Sequence, residues 1–315
     1  MGLSDKIFKR IVEIIQEDKK NIIYLLYFSA VEAILVLSIP LASAFIINSL
    51  LAHSSISIIV LSVIVIVIFI LTTLLQIIKE YIIEKFQQKI FVTTAIKISK
   101  MAIKLQDETD TKKDIDKYMN YFFDVTSIQK VFPVLILDGT GLIIKVIVSL
   151  LLLLAFNPYM FSFGLLALFI YIGLLFVAGR NGFKAAIDRS DAKHSSIYYL
   201  QKIPQEKKPY LKVLNEFNSY LERFVNTRVN MFKIVVKQFA LTFIMEGIII
   251  SSFLIFGGYL VINGKLPIGE FVAVEIVVVS VTTALKGFVK QVDYMYDIVE
   301  GLYKVDKLSA SLSEK

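Results

Sequence analysis

The chain has 315 residues and a formal net charge of +7, with 56% hydrophobic and 19% charged residues, against about 45–50% and 25% in soluble domains. A water-soluble fold cannot hide that much apolar surface, so the class is a polytopic membrane protein. Cysteine is absent and His53 and His194 are the only histidines, which excludes disulfides, thiolate metal sites, Cys nucleophiles and a His-rich metal centre.

In chain order, the first twenty residues carry Lys6, Lys9, Arg10, Lys19 and Lys20, and an apolar run broken only by Glu32 follows. It predicts a first span at 22–51. Leu41-Ala42-Ser43-Ala44 has the look of a signal-peptidase site, but the polar leader is long and hydrophobicity continues past Ala44, so a cleaved signal is not expected. After a break at Ala52-His53-Ser54-Ser55, the second span, 56–78, has no charge over more than the ~20 residues a bilayer helix requires. The third span is 134–156 and the fourth 160–177, with Asn157-Pro158 as a hairpin tip. The fifth is 239–260, Gly264, Pro267 and Gly269 mark a turn, and the sixth is 268–288.

Lysine and arginine number five in 1–20, ten in 79–130, twelve in 180–237 and five in 286–315, and Lys265 is the only one in the three short connections. By the positive-inside rule this makes a multi-pass protein of the cell (inner) membrane with both termini cytoplasmic. The basicity is thus an orientation signal, and no nucleic-acid partner is expected.

The two long internal segments need a helical explanation. Ile82, Phe86 and Ile90 recur at helical spacing after the second span. Before the fifth, Leu214, Phe217, Leu221, Phe224, Met231 and Val235 follow three- and four-residue steps broken by Arg228, a coiled-coil-like seam. A helix unbroken from Tyr210 to Gly258 would be about 70 Å long. After the sixth span, Leu285, Phe288, Val292, Met295, Val299 and Leu302 form a stripe through a charged extension ending near Ala310. The fold class is therefore all-α, six long transmembrane helices extending into the cytoplasm.

Gly-Gly-Tyr-Leu-Val-Ile-Asn-Gly-Lys-Leu-Pro-Ile-Gly-Glu-Phe-Val-Ala, opening the passage 257–308, resembles the fifth-to-sixth helix passage of the ABC exporter transmembrane domain (the six-helix type 1 membrane domain). Ile39-Pro40 to Asn48 and Asp114 to Phe132 are similar to other parts of that family, whereas 178–215, with Pro204 and Pro209, departs from its pattern. The resemblance implies one membrane domain over 1–310 with a polar tail, 311–315. It also implies a dimer, homomeric or heteromeric, of six-helix subunits. Short coupling helices that dock on an ATPase would lie at Asp110, Thr111, Lys112, Lys113, Asp114 and Ile115, and at Lys207, Lys208, Pro209, Tyr210, Leu211 and Lys212. Read without the family, 107–117 is a solvated charged turn.

None of the fourteen glycines fits G-x-x-x-x-G-K-[ST], the loop whose amides and lysine cradle phosphates. No nucleotide-binding domain is thus read in this chain, which is expected to bind no cofactor itself. ATP and Mg would sit on a separate ATPase subunit, whose domain the family usually fuses after the position of Ala310. Met1 and the polar end at Ser311–Lys315 read as natural termini.

Glu32, Lys145, Glu246, Glu270 and Glu275 fall within or beside predicted spans, where an uncompensated charge costs at least about 2.5–3.5 kcal/mol. Glu32, Lys145, Glu246 and Glu275 are candidates for a translocation cavity, with Glu246 and Lys145 at similar depth and able to pair, and with ordinary polar wall as the plainer reading. Four acids against one lysine favour cationic or zwitterionic cargo. Glu270 reads as interfacial, and Tyr24, Phe28, Phe161, Phe169 and Tyr171 as packing or interface belt. His53 and His194 read as solvated.

The leading expectation is the membrane subunit of an ATP-driven exporter. The alternatives are a proton-driven peptide or drug permease on the same architecture, in which Glu246, Glu275 or Glu32 titrates, and a non-transporting membrane scaffold.

Overall fold

The computed structural model describes residues 12, 16, 19–52, 58–107, 129, 135 and 137–313, and among them there is no strand. The helices are α1 (Lys19–Leu51), α2 (Ile58–Asp107), α3 (Gly139–Phe156), α4 (Pro158–Ala178), α5 (Gly182–Lys202), α6 (Tyr210–Ile262), α7 (Ile268–Lys290) and α8 (Val292–Ser313), with a 3-10 turn at Ile203–Gln205 before α6. Among the described residues six helical stretches are long and apolar enough to cross a membrane, and the protein is a multi-pass membrane protein. Large apolar side chains such as Ile66, Phe69, Phe169, Phe176 and Ile255 stand exposed on them, as they do where the surrounding solvent is lipid.

The short connections gather at one end of the bundle. Asn157 caps α4, its Oδ1 accepting from the Tyr159 N–H at 2.9 Å, while its Nδ2 donates to the Lys265 carbonyl at 3.0 Å. Asn48, near the end of α1, accepts from the Gly269 N–H at 3.0 Å. A β-carbon on Gly269 would stand 2.4 Å from that Asn48 oxygen and 2.5 Å from the Ala44 carbonyl oxygen, so the missing side chain is what lets α7 lie against α1. Gly257 does the same for α6 and α7, since a β-carbon there would lie 2.7 Å from the Phe271 ring.

At the opposite, lysine-rich end the helices continue far beyond their apolar parts. The 53-residue α6 is unbroken from Tyr210 to Ile262, about 80 Å at 1.5 Å per residue, and α2 has 50 residues. Three non-helical residues, 179–181, join α4 to α5, with Asn181 in the left-handed region at φ 69°. Polar residues such as Asn tolerate that conformation best after glycine. Pro204 and Pro209 sit where a helix must stop and restart: Pro204 in the 3-10 turn, Pro209 as the N-cap of α6. α5 then returns along α6, with Tyr199 stacked on Tyr220 at 4.9 Å between ring centroids.

The seam of α6 is occupied only in part. Met231 and Val235 are buried against Ala186 and Tyr296, whereas Leu214 and Leu221 are exposed, because α5 packs on a face displaced by one residue that buries Val213. The stripe after the sixth span is packed, on a helix that restarts at Val292 after a turn at Gln291. Val299 and Leu302 of α8 join Ile22 and Leu25 of α1 and Ile83, Phe86 and Ile90 of α2 in one apolar cluster. His194 is buried rather than solvated, correcting the expectation from sequence: the face of α5 that carries it is covered, and its Nδ1 lies 2.9 Å from the Ser190 carbonyl oxygen. His53 lies outside the described residues.

Candidate functional site: a charged cavity walled by four helices

A cavity of about 650 Å³ opens among α1, α2, α3 and α7 in the lysine-rich half of the bundle. Each wall is a helical stripe at i, i+3, i+4 and i+7. α1 supplies Ser29, Glu32, Ala33 and Val36, and α2 supplies Thr73, Gln76, Ile77 and Glu80, with Lys79 beside them. Asp138 and the α3 residues Gly141, Leu142 and Lys145 form the third wall, and Ala284, Gly287, Phe288 and Gln291 the fourth. The void exists because small residues occupy these stripes: a β-carbon on Gly141 or Gly287 would meet nothing within 4 Å.

Because α1 and α3 run away from the lysine-rich end while α2 and α7 run toward it, the stripes align in layers. Ser29, Glu80, Asp138 and Gln291 form the layer nearest that end, and Val36, Thr73, Lys145 and Ala284 the layer farthest from it. Beyond the near layer α1 and α2 close with α8 into the apolar cluster of Ile22, Leu25, Ile83, Phe86 and Ile298, against which the cavity residue Leu137 packs.

Glu32 is held from both sides by α2. Gln76 Nε2 donates to its Oε1 at 2.8 Å, and Lys79 Nζ donates to its Oε2. Lys79 is 7% exposed and Glu32 17%, so each removes most of the other's desolvation penalty. Lys145 faces the same void and is attracted by Glu32, but makes no ion pair with another described residue. Asp138 and Gln291 line the same end of the cavity. Of the four cavity candidates read from sequence, the geometry thus brings Glu32 and Lys145 together.

The other two lie elsewhere. The pairing of Glu246 with Lys145 is corrected: Lys286 Nζ donates to both Glu246 oxygens, at 2.7 and 2.8 Å. Lys145 lies on the α3 wall of the cavity, while Glu246 is on α6, where Lys286 of α7 reaches it. Neither Glu246 nor Glu275 lines the cavity. Glu275 has one carboxylate oxygen, Oε1, that is buried without a hydrogen-bond partner. The lining is therefore not four acids against one lysine but Glu32, Glu80 and Asp138 against Lys79 and Lys145.

Sequence reading misses Lys79, Gln76, Glu80, Asp138 and Gln291. A lysine one residue past an apolar run reads as a flank, and only the shared i, i+3, i+4, i+7 spacing of small and polar residues on four separate segments signals a common void.

Of the candidate coupling residues, Asp110, Thr111, Lys112, Lys113, Asp114 and Ile115 lie outside the described residues. Lys207, Lys208 and Pro209 form the link before α6, and Tyr210, Leu211 and Lys212 its first turn. Lys208 Nζ and Tyr199 Oη both donate to Glu216 Oε2 at 2.8 Å, which ties that link to α5 and α6. Tyr210 and Leu211 are 77% and 70% exposed. A second ionic cluster fixes α8 to α5. Arg189 donates to Asp297 and, at 3.0 Å, to Glu300, and Lys193 donates to the other oxygen of Glu300, which is itself buried. Among the described residues no group of His, Asp or Glu side chains is placed to hold a metal ion.

No known protein-family model matches this chain, and a search of curated proteins finds no match.

Proposed function

We propose that the protein is a membrane-spanning subunit of an ATP-driven exporter, built on the ABC exporter membrane architecture. In this reading it forms the translocation pathway as a homodimer or heterodimer with a second six-helix subunit and is driven by separately encoded ATPase subunits that hold ATP and Mg. The lysine-rich end faces the cytoplasm of the cell (inner) membrane, as the positive-inside rule asks. One observation carries the proposal: a charged, four-walled cavity in the lysine-rich half of a bundle whose α2 and α6 run on well past any bilayer. Cargo enters the cavity, and closure of the ATPases on nucleotide moves the projecting helix pairs as rigid bodies through residues 110–115 and 207–212. The cavity then reopens on the other side.

Purification from native membranes in mild detergent tests this. A stoichiometric ATPase partner is expected, lost when Asp110–Ile115 is replaced by a Gly/Ser linker; a chain that purifies with no ATPase and shows no nucleotide response would overturn the reading.

A proton-driven permease is the second reading, favoured by the buried, unpartnered oxygen of Glu275, since ionisable groups inside membranes often mark proton pathways. For that reading, Glu275→Gln abolishes proton-coupled uptake while added ATPase has no effect.

A further inference from the structure

Five charged side chains line the cavity, and two of them cancel. Glu32 is matched by Lys79 with Gln76 as a second donor, so this pair has no charge to offer a ligand. What remains is polarised. Lys145 stands in the layer farthest from the lysine-rich end, and Asp138 and Glu80 in the layer nearest it. Asp138 has the neutral Gln291 as a neighbour in its layer of the lining, and the nearby Lys79 is already engaged by Glu32.

A ligand filling this space must satisfy both ends. A purely cationic molecule would leave the Lys145 ammonium shut in with a like charge, and an anionic one would do the same to Asp138, and desolvated unpaired charges are costly. A dipolar molecule satisfies both. Asp138 and Lys145 are seven residues apart on one helical stripe, about 10 Å at 1.5 Å per residue. An extended peptide spans at most about 3.3–3.6 Å per residue, so the charged termini of three or four residues match that separation. The volume of about 650 Å³ is in the range of small-molecule sites. Between the charged layers the wall is apolar, with Ala33, Ile77, Leu142 and Phe288, and suits side chains of varied kind.

We infer that the cavity binds a short zwitterionic peptide, three or four residues long, with its C-terminal carboxylate on Lys145 and its N-terminal ammonium between Asp138 and Glu80. The inference rests on reading the cavity as the cargo site and names the cargo's chemical class.

The test is calorimetric titration of the purified full chain with di- to hexa-alanine, their C-terminal amides and their N-acetyl forms. Saturable binding is expected to peak at three or four residues. Amidation and N-acetylation should each weaken it at least about tenfold, and the amide penalty should vanish in Lys145→Met. Gly287→Leu, which fills the void, should lose binding with an unchanged unfolding midpoint. The inference is overturned if no peptide binds saturably, or if the amide binds as well as the free acid, the signature of a cationic ligand. It is equally overturned if Gly287→Leu binds normally, because the ligand then lies elsewhere. ATPase co-purification is scored separately: a partner ATPase without peptide binding sinks the cargo class and leaves the exporter reading standing.

Discussion

Gly269 and Gly287 lie on the same helix and face opposite demands. A β-carbon at Gly269 collides with Asn48 and Ala44, whereas one at Gly287 enters open space. Gly269→Ala must push α1 off α7 and is expected to cost about 1–3 kcal/mol, the range for overpacking. Gly287→Ala gains helix propensity and should be neutral or stabilising by up to about 1 kcal/mol. Thermal unfolding in one detergent checks both; equal losses would mean that the α1–α7 contact is not set by Gly269. The Glu246–Lys286 pair is argued in the same way. Lys286→Met leaves a carboxylate without its partner and should cost about 2.5–3.5 kcal/mol, the translocon-scale figure for a charge in a span. Adding Glu246→Gln should restore most of that loss in the same melts. A double variant as unstable as the single one would show that the lysine acts through its methylene packing instead. Both Lys79 and Lys286 stand at the ends of apolar runs, where composition alone reads them as solvated flanks. Their true partners, Glu32 and Glu246, come from other helices and are visible only in three dimensions.

The extension after the sixth span is legible as a helix, since Val292, Met295, Val299 and Leu302 keep a helical period. Its ionic attachment is not, because Arg189 precedes Glu300 by 111 residues. Arg189→Leu removes a partner of Asp297 and leaves Glu300, which is 3% exposed, with Lys193 alone, so the loss should fall toward or below the lower end of the about 3–5 kcal/mol that breaking a buried pair typically costs. The chain lacks cysteine, so one placed at Ile298, 1% exposed, gives a clean reporter. Maleimide should label Ile298→Cys slowly alone and rapidly when Arg189→Leu is added; equal rates would mean that the apolar cluster alone holds α8. The link between α5 and α6 depends on pH. The hydrogen bond from Lys208, and then that from Tyr199, holds the Glu216 carboxyl below its ordinary value of 4.5, and the bond to Glu216 lifts Lys208 above 10.5. A lowered acid stabilises fully above 4.5 and loses its effect as pH falls through its folded value. A raised lysine stabilises fully below 10.5 and loses its effect as pH rises through its folded value. The tie therefore holds between those limits and loosens beyond each. Limited proteolysis at 203–209 should stay slow across that window and accelerate outside it, and Glu216→Gln should be fast throughout.

For the molecule as a whole, the six spans were readable because a bilayer tolerates few sequences. Runs of about twenty apolar residues separated by Asn-Pro or Gly-rich turns have few alternative readings. The projecting helices were readable in outline, from their apolar period, but not their pairing: Tyr199 of α5 stacks on Tyr220, beside the expected seam, as well as on Phe217 within it. The cavity was half readable, through Glu32 and Lys145, and its polarity was not, since that depends on Lys79 of α2 cancelling Glu32. The unbroken run of α6 has a mechanical consequence. A rod of about 80 Å is a lever, and a tilt of about 5° at its membrane end sweeps the far tip through roughly 7 Å, more than one helical turn. Lys233→Pro, at an exposed position of that rod, costs about 3 kcal/mol of helix and puts a joint in the lever. Spin labels at the two ends of α6 should then report independent motions where the native helix reports one. What happens among side chains deep in the lipid is, through this shaft, magnified into a displacement large enough to be felt by a neighbour that never touches the bilayer.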